Sequence, residues 1–368
     1  MPNTLYGLTR QQVTDAVGRL TRNLVEIHDD TDSFALRAEG AQPVNDKSWD
    51  SWSWPQGVGL YGLYQYYDLT RDKQTLAVIR DWFDRRFAEG TVDKNVNSMA
   101  PFQAMICLCE DSGDPRYLPY IDRWLDWVMH DMPRTENEGL QHMTVLTPNR
   151  QQLWADTLMM TVMPLARGGK LLGRPEYIEE ARRQFLLHIR YLSDKKTGLW
   201  YHGWNFEGRH NFAGAFWARG NCWATITLAD MLEFLNLPRG DSFGEYLRSV
   251  LGEQIEALSR CQAESGLWHT VLDAPSTYEE APAPAGFAYG ILKAVRHRYV
   301  SPDYRDTGIR AVQALLDNIA PDGTLQKVSV GTPVFDTAEE YNHIGIGPMP
   351  YGQSLAVMAL SEFLRLYI

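Results

Sequence analysis

Hydrophobic residues recur along almost the whole chain at the spacing of α-helices. In the first segment Val13, Val17 and Leu20 fall on one face, and Thr9 with Gln12 forms a capping box at its start. The same reasoning predicts twelve helices, near residues 9–28, 54–69, 72–88, 98–111, 115–130, 151–172, 175–192, 217–235, 243–262, 284–299, 302–319 and 350–367.

The predicted helices alternate in character. The even-numbered ones are apolar nearly all round, as in residues 157–166 and 285–292, whereas the odd-numbered ones are amphipathic, as in residues 175–187. An apolar helix must be buried, and an amphipathic helix can cover it. The pattern therefore predicts an all-α fold in which six inner helices are enclosed by six outer helices.

The predicted connections alternate in length. Those from an inner to an outer helix are very short, whereas those from an outer to an inner helix are long, so the long loops must gather at one end. A motif recurs within these loops, which indicates a repeated helical hairpin: Gly139-Leu-Gln-His142, Gly198-Leu-Trp-Tyr-His202, Gly266-Leu-Trp-His269 and, more weakly, residues 323–327. Because no linker interrupts the series, residues 1–368 are predicted to form one domain. An open α-solenoid is the alternative.

Composition limits the possible partners and location. The chain carries 35 basic and 46 acidic residues, a net charge of -11, without blocks of like charge. Binding to nucleic acid or to a membrane is therefore disfavoured. The sequence begins without a basic segment followed by an apolar run, which predicts a cytoplasmic address. The four cysteines lie in apolar runs and are expected to be free thiols rather than disulfides or zinc ligands.

Aromatic residues are abundant, with 12 Trp, 18 Tyr and 13 Phe. Many of the tryptophans stand beside Gly, Asn, His or Arg near the predicted starts of inner helices. Such side chains can stack on sugars while the indole N–H donates a hydrogen bond. Converging helix N-termini also suit an anionic ligand.

Two charged residues stand out at these helix starts. Asp156 lies between Trp154 and an apolar run, where burial is expected to raise the pKa of a carboxyl group toward that of a general acid. Its alternative role is capping of the inner helix. Arg219, between Trp217 and Trp223, could hold a substrate carboxylate with its planar fork. Its alternative role is an internal ion pair.

Several of these segments together resemble glycoside hydrolase family 105, the unsaturated rhamnogalacturonyl hydrolases, which are related to the unsaturated glucuronyl hydrolases of family 88. The segments are residues 54–63, 153–160, 201–204, 217–223 and 348–353. The resemblance implies an (α/α)6 barrel, with Asp156 as the catalytic acid. It implies substrate-binding roles for Trp54, Asn97, His142, His202, Trp217, Arg219 and Trp223.

The resemblance also implies a reaction. The family removes a 4,5-unsaturated uronic acid from the non-reducing end of lyase-generated pectin oligosaccharides by hydrating the C4=C5 double bond. No metal or redox cofactor is needed, and the partner would be an unsaturated uronyl disaccharide or short oligosaccharide. One departure concerns Asn97, because some relatives place a second aspartate before the fourth helix. Either that carboxylate is dispensable here or its function lies elsewhere.

Three other functions fit the same barrel. They are a two-carboxylate glycosidase, a sugar epimerase with paired histidines and a non-catalytic carbohydrate-binding scaffold.

Overall fold

The computed structural model describes residues 4–90 and 92–368. In this part of the chain the α-helices are α1 Arg10–Glu26, α2 Trp54–Thr70, α3 Lys73–Glu89, α4 Val96–Met99, α5 Phe102–Ser112, α6 Leu118–His130, α7 Met163–Leu171, α8 Pro175–Leu192, α9 Ala218–Leu235, α10 Ser242–Cys261, α11 Pro282–Arg296, α12 Arg305–Asp317 and α13 Pro350–Leu364. The segments between the helices also contain short antiparallel pairs of β-strands. The pairs are β1 Thr4–Leu5 with β2 Leu8–Thr9, β3 Ala35–Leu36 with β4 Val44–Asn45, β5 Gln152–Trp154 with β6 Gly203–Asn205, and β7 Trp268–His269 with β8 Glu279–Glu280.

All twelve predicted helices are present, and two of them begin differently from expectation. The predicted helix at 98–111 is divided into α4 and α5 around Pro101, which has no N–H to continue the hydrogen-bond ladder. The predicted helical start at residue 151 is wrong. Gln152–Trp154 pairs with Gly203–Asn205 as a strand, and a π-helical turn at Leu158–Val162 then leads into α7.

The helices form the predicted double ring. The inner ring runs α2, α4 with α5, α7, α9, α11 and α13, and each of these helices packs on its neighbours in this order. Helices α1, α3, α6, α8, α10 and α12 cover them on the outside. Every residue of α13 is buried, whereas α8 buries only one face. The alternation of all-round apolar and amphipathic segments therefore corresponds to the two layers.

The ring is closed by contact between its last and first inner helices, α13 and α2. The hydroxyl of Ser354 donates to the carbonyl oxygens of Val58 and Gly59, each at 2.8 Å. Gly62 lies at the same crossing, where a Cβ atom would fall 2.0 Å from Ser354 Oγ. The alternative of an open α-solenoid is therefore wrong.

In three of its four copies the recurring loop motif is a turn that packs against the next outer helix, whereas at Gly139 a Cβ atom would meet the side chains of Leu153 and Thr135. The glycines at positions 198, 266 and 323 have φ values of +84°, +86° and +91°, which side chains disfavour. A Cβ atom there would collide with a backbone carbonyl: Gly198 with Glu253 of α10, Gly266 with Arg310 of α12, and Gly323 with Arg19 of α1. The last turn thus docks on the first outer helix, as closure requires.

A buried ionic cluster fills the barrel axis on the side away from the starts of the inner helices. Asp230 of α9 pairs with Lys293 of α11 at 2.6 Å. The hydroxyls of Tyr61 of α2 and Tyr289 of α11 each donate to Asp230 at 2.7 Å. Since α2 and α9 lie opposite each other in the ring, the cluster joins the barrel across its centre and satisfies the buried charge.

Two further findings concern the cysteines and the apolarity of the helices. All four cysteines are free, as predicted. None of the helices in residues 4–90 and 92–368 has the length and apolarity that crossing a membrane requires.

Substitution of Gly62 tests the closing contact. Gly62→Ala should lower the free energy of unfolding by about 1–3 kcal/mol, because the added methyl group overpacks the crossing of α2 and α13. Gly18→Ala in α1 is the matched control, since its Cβ would meet only the flexible end of Arg22 at 3.5 Å. Denaturant unfolding followed by circular dichroism should show the control unchanged or slightly stabilised. Equal stability of both variants would contradict a tight closing contact.

Candidate active site

A cavity of about 340 Å³ opens at the end of the barrel where the inner helices begin. Its volume is that of a small-molecule site. Three of the long loops contribute to its walls, through residues 33–46, 144–149 and 330–333. Most of the residues that the sequence singled out line it directly, namely Trp54, Asn97, His142, Asp156, Trp217 and Arg219. The remaining two, His202 and Trp223, contact Asp156.

Asp156 is held by side chains from two other parts of the chain. The indole N–H of Trp223 donates to Oδ1 at 3.1 Å. Nε2 of His202 lies 3.2 Å from Oδ2, but the alignment leaves Oδ2 without a regular hydrogen bond in the described structure. These contacts with distant side chains favour a functional role over helix capping.

The pKa of Asp156 differs from the expectation drawn from the sequence. Burial opposes the charged form, but the interactions with His202 outweigh it and lower the pKa of the carboxyl group. The expected increase in pKa is therefore wrong for this structure. The expectation considered only the apolar residues that adjoin Asp156 in the sequence. It could not include the N–H groups of Trp223 and His202, which approach the carboxylate from other elements.

His202 is fixed between Asp156 and a tyrosine from the last long loop. The hydroxyl of Tyr341 lies 2.8 Å from Nδ1, and the ring of Trp217 lies 4.1 Å from the imidazole. Burial lowers the pKa of His202 despite the nearby carboxylate, which favours the neutral ring. A neutral ring that accepts from Tyr341 at Nδ1 carries its proton on Nε2, toward Asp156.

His142 is a second buried, neutral histidine. Its ring stacks on Trp154 at 4.1 Å, and Nδ1 lies 2.9 Å from Oγ1 of Thr157. Burial lowers the pKa of His142 to about 4. It therefore forms an uncharged polar wall of the cavity.

Arg219 holds the loop that covers one side of the cavity. Its guanidinium lies between the rings of Trp217 and Tyr351, at 4.6 and 4.8 Å. Nη1 donates to the carbonyl and hydroxyl oxygens of Ser329, at 2.9 and 2.6 Å. Nη2 donates to the carbonyl oxygen of Val330 and the hydroxyl of Thr332, at 2.8 and 2.9 Å.

These bonds engage all four terminal N–H groups of Arg219. Only Nε remains without a partner in the described structure. The predicted two-pronged grip on a substrate carboxylate therefore competes with the loop contacts, and Nε is the donor left for a ligand. The direct role of Arg219 in substrate binding stays a prediction.

The tryptophans form a connected aromatic wall. Trp54 stacks on Tyr351 with ring centres 4.5 Å apart, and meets Trp223 edge to face at 6.2 Å. The indole N–H of Trp217 is buried and has no partner in the described structure. Asn97, the second residue of α4, lines the same cavity. Flat apolar faces with a free donor suit a sugar ring.

Sequence reasoning missed several residues of the site. Asp46, in the first long loop, is a second carboxyl-bearing residue among the described residues that line the cavity. Tyr341 and Thr332 lie in the last long loop, and their contacts reach across more than a hundred positions of the chain. The signal available for Asp46 was an acidic residue just before the tryptophan-rich segment 49–54.

The chain is similar to known glycoside hydrolases. A sequence model of Glycosyl Hydrolase Family 88 matches residues 26–367. The chain is 32% identical to the unsaturated rhamnogalacturonyl hydrolase YesR of Bacillus subtilis (strain 168) over 86% of this chain and 90% of that protein.

Solved structures show the same architecture. A protein from Salmonella enterica serovar Paratyphi A, described as a possible member of the GH105 family, is 49% identical, with a TM-score of 0.98 over 100% of this chain and 97% of the other. The unsaturated glucuronyl hydrolase of Bacillus sp. GL1 shares the fold at 19% identity, with a TM-score of 0.71 and 97% of both chains covered.

Arg219→Lys tests the role of the guanidinium. A lysine keeps the charge but cannot hold Ser329, Val330 and Thr332 together, and one lost charge-assisted hydrogen bond costs about 1.5–3 kcal/mol. We expect kcat/KM on the substrate proposed below to fall at least about tenfold. Amide exchange at residues 329–332 should become faster.

Arg260→Lys, at an exposed ion pair on α10, is the matched control and should change neither measurement. Wild-type kinetics and exchange in the Arg219 variant would contradict both the anchoring and the positioning role.

Proposed function

Because the chain belongs to Glycosyl Hydrolase Family 88, we propose that it releases 4,5-unsaturated uronic acid from the non-reducing end of lyase-generated pectin oligosaccharides. The similarity to the rhamnogalacturonyl hydrolase of Bacillus subtilis, over 86% of this chain, carries this proposal. The cavity supports it, because aromatic faces, neutral histidines and one tightly held aspartate suit a sugar acid. The family relationship favours rhamnogalacturonan fragments as the source of substrate.

The reaction that fits this site is hydration of the C4=C5 double bond. A proton adds to C4 and oxocarbenium-like charge develops toward C5. Water then adds at C5, and the resulting hemiketal opens and releases the rest of the oligosaccharide. We assign both proton transfers to Asp156, which donates to C4 and afterwards accepts a proton from the water. This scheme differs from that of ordinary glycosidases, in which two carboxylates act at C1.

The lowered pKa of Asp156 adds a requirement to this scheme. Before substrate binds, the carboxyl group is largely charged at neutral pH. The substrate brings a second carboxylate into the same cavity and displaces water. A like charge and loss of solvent both raise a carboxyl pKa, so substrate binding should be coupled to uptake of a proton by Asp156.

The polar groups without partners indicate how a uronate would be oriented. Nε of Arg219 and the indole N–H of Trp217 are buried donors in or beside the cavity. Buried donors in folded proteins nearly always have a hydrogen-bond partner. We therefore assign them to the substrate, with Trp54 and Trp223 as the aromatic wall and His142, His202 and Asn97 as its polar lining.

We also retain the predicted cytoplasmic address. The free thiols Cys107, Cys109, Cys222 and Cys261 fit a reducing compartment. With this address, the short unsaturated oligosaccharides that serve as substrates would have to be present in the cytoplasm.

The first test of this function is substrate selectivity. The enzyme should consume unsaturated uronyl disaccharides and leave the saturated counterparts intact, because the chemistry begins at the double bond. Ultraviolet absorbance of the conjugated acid should fall during turnover, and product analysis across a panel of lyase-generated disaccharides would identify the following sugar. Equal cleavage of saturated substrates would refute the hydration scheme and favour a two-carboxylate glycosidase.

The second test replaces the proposed acid. Asp156→Asn keeps the size of the side chain but cannot transfer a carboxylic proton, so kcat should fall at least ~10²-fold. Circular dichroism should show an intact fold, and calorimetric titration should show substrate binding that no longer takes up a proton at this residue. Asp84→Asn, an exposed aspartate of α3, is the control. Near-normal turnover in a folded Asp156 variant would place the acid elsewhere.

A further inference from the structure

The cavity contains a second carboxyl group, that of Asp46, which the proposed reaction has not used. Asp46 directly follows β4 and is partly buried. Among the described residues that line the cavity, only Asp46 and Asp156 carry a carboxylate. The two come from different parts of the barrel wall, since Asp46 lies before α2 and Asp156 before α7, two positions further along the inner ring.

Asp46 is held in place by its neighbours. The hydroxyl of Ser53 donates to Oδ1 at 2.8 Å, and the side chain of Trp54 also hydrogen-bonds to the carboxyl group. The backbone N–H of Asp46 donates to the carbonyl oxygen of Phe34 at 3.1 Å. Its position is therefore set by three contacts.

The contact with Ser53 has a structural consequence. Ser53 is the N-cap residue of α2, but its side chain makes no capping hydrogen bond. A serine cap typically stabilises a helix by about 1 kcal/mol. The hydroxyl instead binds a cavity carboxyl group, which favours a functional role for Asp46 over a purely structural one.

The two carboxyl groups flank one pair of tryptophans. Trp54 and Trp223 meet edge to face, with ring centres 6.2 Å apart and an angle of 84° between the planes. Trp54 hydrogen-bonds to Asp46, while Trp223 donates to Asp156. This pair of tryptophans therefore links the two carboxyl groups.

The charges around Asp46 do not stabilise its ionised form. Across the cavity, Asp156 is negative, His142 is neutral, and the terminal nitrogens of Arg219 bind the loop. From α13, the phenol of Tyr351 is uncharged, because burial raises its pKa, and its hydroxyl donates to the carbonyl oxygen of Ser329.

The segment that carries Asp46 supplies no counter-ion either. The ammonium of Lys47 lies over the ring of Phe34 at 5.4 Å, and the carboxylate of Asp29 accepts hydrogen bonds from Asn45 and Phe34. In the described structure no cation forms an ion pair with Asp46. Burial raises the pKa of Asp46 to about 6, against the weaker effect of Ser53 and Trp54.

We propose that Asp46 is the second carboxyl group of this reaction, and that it contacts the bound unsaturated uronyl ring in its protonated form, as a hydrogen-bond donor. The inference rests on the proposed function, because the negative charge of the substrate makes a neutral donor at Asp46 preferable to a charged carboxylate in the same cavity.

Two substitutions separate a protonated from a charged role. Asp46→Asn provides an N–H donor at every pH, whereas Asp46→Ala removes the group. For the wild type, kcat/KM on unsaturated disaccharides should be highest below pH 6 and should fall as rising pH ionises Asp46. The Asn variant should lose this pH dependence near pH 6. In the Ala variant kcat/KM should fall at least about tenfold at every pH, which is the effect expected from losing one hydrogen bond to a charged partner.

Asp50→Asn is the matched control, since Asp50 lies in the same loop with an exposed side chain that pairs with Arg85. It should retain wild-type kinetics. Thermal unfolding of all variants identifies any that fail to fold, and the isosteric Asn variant keeps the test valid if the Ala variant is unstable.

Three results would overturn the inference. Wild-type kinetics in both Asp46 variants would exclude contact with substrate. An Asn variant as impaired as the Ala variant at every pH would show that Asp46 acts as a carboxylate or only as a structural group. A wild-type enzyme that ignores all unsaturated disaccharides would overturn the proposed function together with this inference, whereas the first two results leave that function standing.

Discussion

Closure of the inner ring is the constraint on which the rest of the structure depends. The last inner helix can pack on the first only because Gly62 and Ser354 allow α2 and α13 to approach closely. Closure brings the starts of all the inner helices to one end of the barrel, and the buried pair Asp230 and Lys293 fills the axis on the other side. The cavity is therefore a blind pocket whose walls are helix starts and long loops.

Within this pocket, polar groups are held by partners that are distant in sequence. Trp223 and His202 hold Asp156, Tyr341 orients His202, and the last long loop engages the terminal nitrogens of Arg219. A buried polar group that loses its hydrogen-bond partner destabilises the fold, because it no longer recovers the free energy of its desolvation. Of the cavity-lining side chains, Arg219 and Trp217 each keep a buried N–H without a partner in the described structure, and a bound sugar acid can satisfy both.

Electrostatics in the pocket follow from this arrangement. The buried histidines are neutral, so they offer hydrogen bonds without adding positive charge. The carboxyl groups of Asp46 and Asp156 have pKa values shifted in opposite directions, because burial dominates at Asp46 whereas Asp156 also has His202 beside it. Such divergent environments allow two chemically identical groups to hold different protonation states at one pH.

The sequence by itself determined the layers of the fold and most of the site. All-round apolar segments must be buried, and polar or aromatic residues at their starts must meet wherever those starts converge, so Asp156, Trp217 and Arg219 were identifiable from local pattern. Only the tertiary structure decided the strand at Gln152–Trp154, the loop contacts of Arg219, the lowered pKa of Asp156 and the presence of Asp46 in the cavity. Each of these depends on which distant atoms lie within hydrogen-bonding distance, and periodicity along the chain carries no information about that.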